Sequence, residues 1–117
     1  MLVICVLLPL KIISEANQRG HWSKSAGRKA LHRNTARCIL RSHARPEAEK
    51  IKITLTRIAP RKLDSDNLQS GFKSVRDGVS DWLVINDGSP RLTWEYAQIP
   101  GERGQYLAEV AVTWDAE

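Results

Sequence analysis

The sequence lacks a long apolar run. Its longest apolar stretch, Leu2 to Leu10, has nine residues, whereas a transmembrane helix needs about 20. No Lys or Arg precedes this stretch and no small-residue cleavage site follows it, so we do not expect a signal peptide. Its Val, Ile and Leu content instead predicts a buried strand. We therefore expect no membrane partner.

Cysteine is also scarce. The two cysteines, Cys5 and Cys38, stand far apart in the sequence in apolar surroundings, and there is no Cys-x-x-Cys pair. This pattern excludes a disulfide framework and a structural zinc site from our expectations. We predict two reduced, packed thiols in a cytosolic protein.

Acidic residues are missing from one region of the chain. No Asp or Glu occurs between Arg19 and Arg45, and residues 1–62 hold 14 basic and three acidic side chains, a net charge of +11. Residues 63–117 hold four basic and ten acidic side chains, a net charge of −6, so the whole chain carries +5. The basic excess indicates a polyanionic partner, such as nucleic acid or an anionic membrane. The acidic half needs a separate explanation.

Length and patterning predict one α+β domain over residues 1–117, with 42% hydrophobic residues to build its core. The element order is β-α-β-α-β-β, a mixed α/β layer in which a small sheet packs with two helices. The predicted elements are Leu2–Leu10, Trp22–Ser42, Ile51–Ile58, Asp66–Leu83, Leu92–Gln98 and Tyr106–Trp114. The connection over residues 100–104 predicts a hairpin. Dimerisation would help so small a core to bury more surface.

Apolar spacing predicts which side of each later element is buried. The helix over Asp66–Leu83 has one apolar face, formed by Leu68, Phe72, Val75, Val79, Trp82 and Leu83. The strands alternate, with Ile51, Ile53 and Leu55, then Leu92, Trp94 and Tyr96, then Tyr106, Ala108, Val110 and Val112 pointing inward.

The first predicted helix is basic. Its charged residues recur mostly four apart, at Lys24, Arg28, Lys29, Arg33, Arg37 and Arg41, followed by Arg45. Like charges at this spacing repel, so an external anion would offset the cost, and we predict that they bind DNA phosphates without sequence choice. The packed side would be Trp22, Leu31, Cys38 and Ile39. A solvated face is the alternative; a membrane-surface helix is disfavoured because the apolar side is modest and interrupted.

Two carboxylates, Asp64 and Asp66, stand between a predicted strand and a predicted helix. In an extended segment, residues i and i+2 point the same way, so the pair could share Mg²⁺, which prefers oxygen ligands. Asp87, in the turn after the helix, could fold back as a third ligand. Lys73 could approach the same site to neutralise a phosphate or polarise a water.

Each of these residues also has a structural interpretation. Asp66 suits an N-cap, with Gln69 at the capping-box position. Asp87 belongs to an ordinary Asp-Gly turn. Lys73 and Asp77 form an i,i+4 surface pair. Spacing alone leaves the metal site and these alternatives open.

Four features follow one another along this half of the chain: Asp64-Ser65-Asp66-Asn67-Leu68, Lys73, Asp77 and Asn86-Asp87-Gly88. Together they resemble the RusA family of Holliday junction resolvases. Two further regions resemble the phage-type members of this family. They are Ser14-Glu15-Ala16-Asn17 with His21-Trp22, and the segment from Leu55 to Arg61. The resemblance covers most of the chain, and its specific region runs from Asp64 to Asp87.

The resemblance implies a Mg²⁺-dependent endonuclease that acts as a homodimer on branched DNA, with Mn²⁺ as the alternative ion. It also implies a cytoplasmic protein of bacterial or phage origin. Asp64, Asp66 and Asp87 match the metal-binding carboxylates of the family, and Lys73 matches its catalytic lysine.

Two positions depart from the family pattern. Lys73 stands seven residues after Asp66, where the best-known members place the lysine four after, and Asn86 replaces the first of two adjacent aspartates. These departures motivate an alternative, a branched-DNA-binding protein with impaired catalysis. A third hypothesis is a scaffold whose basic helix binds an acidic protein partner.

Overall fold

The computed structural model describes residues 1–15, 20 and 22–116. The elements are β1 (Leu2–Leu8), α1 (Trp22–Leu40), β2 (Ile51–Ala59), α2 (Ser65–Leu83), β3 (Leu92–Pro100) and β4 (Leu107–Trp114). The predicted order β-α-β-α-β-β and the α+β class are confirmed. No helix in the described ranges is long and apolar enough to cross a membrane.

The four strands form one mixed sheet in the order β1-β4-β2-β3. β3 runs parallel to β2, whereas β4 lies antiparallel to both β1 and β2. β3 and β4 are therefore not neighbours, and the predicted hairpin is wrong. The connection after β3 crosses the end of β2 instead, where the Gly101 N–H donates to the Ala59 carbonyl at 2.9 Å. β4 pairs with β1 along one edge and with β2 along the other, and its inward side chains are fully buried.

Alternation along the strands sets the sheet face that contacts the helices. Ile53, Leu55 and Val110 are 0% exposed, and the inward residues predicted for β2 and for the β4 strand itself are confirmed. Tyr106 is an exception, because it precedes β4 and is 36% exposed. Arg57 is buried near the end of β2, where the alternating pattern predicted only apolar burial.

The buried face of α2 is the predicted one. All six predicted apolar residues are buried, and Phe72, Val75 and Val79 are fully so. The helix ends at Leu83 and is capped by Val84, whose backbone is left-handed at φ 56° and whose N–H donates to the Asp81 carbonyl. This C-cap reverses the chain toward the turn that carries Asp87.

The predicted packed side of α1 is wrong. Trp22 is 75% exposed and Leu31 is 58% exposed, Cys38 is exposed and only Ile39 is partly buried. The buried residues are instead His32, Ala36 and Leu40. The cause lies on α2, where Gly78 lets the helices approach so closely that a Cβ there would collide with the Arg33 carbonyl and lie 3.0 Å from the Ala36 Cβ.

Both cysteines are free, as predicted, but both are exposed, so the prediction of packed thiols is wrong. Cys5 alternates with the buried Val6 and therefore lies on the sheet face away from the helices. Partial desolvation and the Glu109 carboxylate raise the pKa of the Cys5 thiol, which favours the protonated, weakly nucleophilic form.

Candidate functional site

The strand-to-helix corner before α2 is built by an N-cap. Asp64 has extended backbone angles, and its Oδ1 and Oδ2 accept from the backbone N–H and the side-chain amide of Asn67, both at 3.0 Å. The cap is thus Asp64 with Asn67, and the alternative in which Asp66 caps the helix with Gln69 as its partner is wrong. The helix begins one residue earlier than predicted.

This shift changes the geometry of the acidic pair. Because Ser65 is already helical, Asp66 lies in the first turn, about 200° around the axis from Asp64 at roughly 100° per residue. The two carboxylates therefore diverge and do not point the same way, as an extended segment would have required. Asp66 is exposed, and its carboxylate has no hydrogen bond or ion pair within the described residues.

Asp87 returns to the middle of α2, where it joins an ion-pair network. Lys73 Nζ lies 2.8 Å from Asp77 Oδ1 and 3.3 Å from Asp87 Oδ2. Arg76 Nε donates to the same Asp87 oxygen at 3.0 Å. Lys73 and Asp77 thus form the i,i+4 pair that spacing indicated, and Asp87 extends it. Arg76, which sequence reasoning missed, is also held over the Trp94 ring at 4.5 Å.

The charge states in this network follow from its partners. Burial opposes ionisation of Asp87, but the hydrogen bonds and charges of Lys73 and Arg76 outweigh it and lower the pKa of that carboxyl. The hydrogen bond to Asp77 raises the pKa of Lys73, with Asp87 adding to it against desolvation. Lys73 is thus protonated at neutral pH, which suits it to hold negative charge and not to accept a proton.

The predicted metal ligands occupy two places along α2. Lys73 follows Asp64 by nine residues, a rise of about 13 Å along the axis, and Asp87 lies beside Lys73 and Arg76. Among the residues that the structure describes, no three His, Cys, Asp or Glu side chains are grouped so that they could hold a metal ion. The chemistry of the donors fits Mg²⁺ to a limited extent, since this ion often takes only one or two carboxylates beside substrate phosphates.

An open groove between the helices brings other predicted residues together. It is lined by residues that include Lys29, Arg33, Ser70, Lys73 and Asp77. A neighbouring hollow, lined among others by Arg33, Asp77 and Asp87, continues it. The structure thus places two predicted DNA-binding side chains beside Lys73 and Asp87. Asp64 and Asp66 do not line the groove.

Acids from other elements neutralise some of the charge of α1. Arg28 forms two hydrogen bonds with Glu15, and Arg33 forms two with Asp81, at 2.7 and 2.9 Å. The hydrogen bond from Arg28 lowers the pKa of Glu15, and that from Arg33 lowers the pKa of Asp81. Internal carboxylates therefore take over some of the role that we assigned to an external anion.

The remaining cations of α1 are open to solvent. Besides Arg28 and Arg33, four predicted DNA-binding residues lie in α1 or directly after it, and all four are exposed: Lys24, Lys29, Arg37 and Arg41. Arg45, further along the chain, is exposed as well. Within the described ranges none of the five has an ion-pair partner. The Arg37 side chain donates to Asn34 Oδ1 at 3.1 Å.

The N-terminal segment contacts the acidic corner. The Ser14 hydroxyl, in a residue only 7% exposed, donates to Asn67 Oδ1 at 2.6 Å, and Asn67 in turn holds Asp64. The neighbouring positions of the family resemblance, Ala16, Asn17 and His21, lie outside the described residues.

No protein-family model matches this chain. No curated protein matches it either.

Proposed function

We propose that this protein is a Mg²⁺-dependent endonuclease that binds branched DNA and hydrolyses phosphodiester bonds at four-way junctions. One observation supports the proposal most directly: Lys29, one of the solvent-open cations of α1, lines the same groove as protonated Lys73. Asp66 lies seven residues before Lys73 and therefore on the same face of α2. The extra helical turn relative to the family pattern changes the distance between these two residues and not the face that they share.

Different side chains of the protein would bind the DNA and stabilise the reacting phosphate. Lys24, Lys29, Arg37 and Arg41 would hold DNA phosphates, with an affinity that falls as salt rises. Lys73 would stabilise negative charge developing on the reacting phosphate. A junction has approximate two-fold symmetry, which an isologous dimer of this chain would match with two equivalent sites.

The carboxylates would hold the ion. The Asp66 carboxylate has no partner among the described residues. Asp64 could join it only by turning from Asn67, and Asp87 only by exchanging Lys73 and Arg76 for the metal. When bound, Mg²⁺ would supply an activated water and stabilise charge on the phosphate oxygens.

The test is cleavage of a synthetic four-way junction with Mg²⁺. We expect paired symmetric nicks from the wild type and a loss of at least about a hundredfold with Asp66→Asn, because removing a metal ligand costs several kcal/mol of transition-state stabilisation. Asp64→Asn should also lose activity while it keeps the helix start, since Asn is an equally good N-cap. Asp115→Asn, an exposed carboxylate at a distant position, is the matched control. Undiminished nicking by Asp66→Asn would contradict the proposal.

A second function is favoured by one observation, the double pairing of Asp87 with Lys73 and Arg76. If these cations keep Asp87 from the metal, the protein would bind branched DNA without cutting it. Binding that depends on salt but not on Mg²⁺, with no product from the wild type, would favour this function. Binding to α1 that nucleic acid cannot compete away at physiological salt would instead favour an acidic protein partner.

A further inference from the structure

A small pocket lies where β2 and β3 end, apart from the groove between the helices. Its charged and polar lining consists of Arg57, Arg61, Lys62 and Gln98. Its volume, about 210 Å³, is below the roughly 300 Å³ at which pockets for drug-sized ligands begin. The pocket therefore suits a small group, and its three cations, with no acid among the described lining residues, select an anion.

Arg57 is the unusual member of this pocket, because it is a buried cation without a carboxylate. The residue is only 6% exposed. Its Nε donates to the Ile12 carbonyl at 2.8 Å, and its Nη1 donates to the Arg61 carbonyl and to Gln98 Oε1. All three acceptors are neutral, and no ion pair to Arg57 exists among the described residues. Arginine is rarely buried this deeply unless it is paired with an anion.

The free end of the guanidinium is accessible to solvent, and the residue lines the pocket. Nη2 of Arg57 has no acceptor within the described ranges, and no buried side-chain nitrogen or oxygen there lacks a partner, so Nη2 is not sealed inside the protein. Desolvation lowers the pKa of Arg57, partly offset by Tyr106. An anion bound at Nη2 would relieve this uncompensated burial. The planar fork of arginine matches the oxygens of a phosphate.

The pocket is tied to the acidic corner through Gln98. Its Oε1 accepts from the Leu63 N–H at 2.9 Å and its Nε2 donates to the Leu63 carbonyl at 2.7 Å. Leu63 directly precedes Asp64, and Lys62, which lines the pocket, directly precedes Leu63. A group bound at Arg57 is therefore held in a fixed relation to the start of α2.

We infer that this pocket binds a backbone phosphate of DNA through Arg57, Arg61 and Lys62, next to the acidic corner. The inference rests on the proposed function only in naming DNA as the source of the phosphate. The pocket would fix the position of one nucleotide so that a neighbouring phosphate reaches Asp64 and Asp66. These three cations lie outside α1, so they would add a contact that the basic helix does not provide.

The first measurement uses inorganic phosphate alone. We expect it to shift the Arg57 side-chain Nε–H resonance in a saturable way, and we expect the double variant Arg61→Ala/Lys62→Ala to lose that response. Both substituted side chains are exposed, so the fold should persist. Arg57→Lys keeps the charge but removes the fork, and phosphate should no longer shift the backbone N–H resonances of Arg61 and Lys62 in a saturable way, as it should in the wild type. Lys52→Ala, an exposed cation on the same strand paired with Glu95, should behave like the wild type.

The second measurement is the salt dependence of binding to a junction oligonucleotide without Mg²⁺. Each lost phosphate contact should reduce the slope of log affinity against log salt by about 1. Because the pocket holds one phosphate, the double variant should lose about 1 and Lys52→Ala about 0. A phosphate response that is the same in the wild type and the double variant would overturn the site. A lost phosphate response with an unchanged DNA slope would overturn the assignment to DNA and leave free phosphate as the ligand.

These results separate the two proposals. Suppose that the wild type nicks junctions and that the double variant binds phosphate and DNA as the wild type does. These results would overturn the phosphate pocket and leave the proposed nuclease function in place. Loss of both responses in the double variant, from a wild type that never nicks, would support the pocket and overturn only the nuclease.

Discussion

The two helices have the same length, 19 residues. The pattern of apolar residues predicts the buried face of α2 but not that of α1. α2 buries the large apolar residues that helical periodicity selects, such as Phe72. α1 exposes its largest apolar residues, Trp22 and Leu31, and buries His32 and Ala36. Burial is thus set by large side chains on one helix, and by how closely two backbones can approach on the other.

The largest expected effect comes from the predicted face of α2. Phe72→Ala should lower the free energy of unfolding by about 3–5 kcal/mol, because it removes a fully buried ring and leaves a cavity. The counterpart on α1, Leu31→Ala, should change it by less than about 0.5 kcal/mol, since the side chain is exposed. Urea denaturation measures both. A large loss with Leu31→Ala would mean that α1 packs on the face predicted from its sequence.

A pair of glycines gives the next effect. Gly78→Ala should cost about 1–3 kcal/mol of stability, because its Cβ would collide with the Arg33 carbonyl of α1 and the helices would have to separate. Gly27→Ala, on the exposed side of α1 with no atom within 4 Å of the added Cβ, should instead stabilise by about 0.5–1 kcal/mol. Thermal unfolding of the two variants should shift in opposite directions. Shifts of the same sign would contradict the close helix approach.

The smallest effect is a pH dependence centred on His32. Burial lowers the pKa of His32, with Glu15 opposing and Arg28 adding to the shift. The unfolded chain, whose histidine titrates near about 6.5, therefore binds a proton more readily than the folded one. Stability from this residue is complete above that value and is lost as pH falls through the lowered folded pKa.

The variant His32→Gln should flatten this region of the stability profile, and the exposed His43 provides the control as His43→Gln. Denaturation midpoints measured from about pH 7.5 down to about pH 5, a range that spans the ordinary histidine pKa, test it. A profile that His43→Gln flattens and His32→Gln does not would contradict the assignment.

Local patterns were sufficient for the element order and for α2, but not for the sheet order. The segment over residues 100–104 has the composition of a tight turn, yet strand pairing depends on which distant strand offers a complementary edge. β2 and β1 accept β4 between them, and nothing in the local composition records that choice. The register of Leu2 with Trp114 is likewise a contact between distant regions of the chain.

The candidate site was predictable to a similar extent. The pairing of Lys73 with Asp77 follows from i,i+4 spacing, whereas Arg76 meets Asp87 only because the C-cap turns the chain back. The direction of Asp66 depended on whether the helix begins one residue earlier. Because each residue rotates a helix by about 100°, such a small shift is enough to turn neighbouring carboxylates away from each other.

The central place of β4 also governs how the chain folds as it leaves the ribosome. β1 is made first, yet its sheet partner is Leu107–Trp114, so β1 cannot be paired until almost all of the described chain has been synthesised. Until then β1 has no partner strand among the described residues. Pairings of this kind fold slowly and leave nascent strands open to aggregation. Completion of this sheet therefore depends on the last of its four described strands to be synthesised.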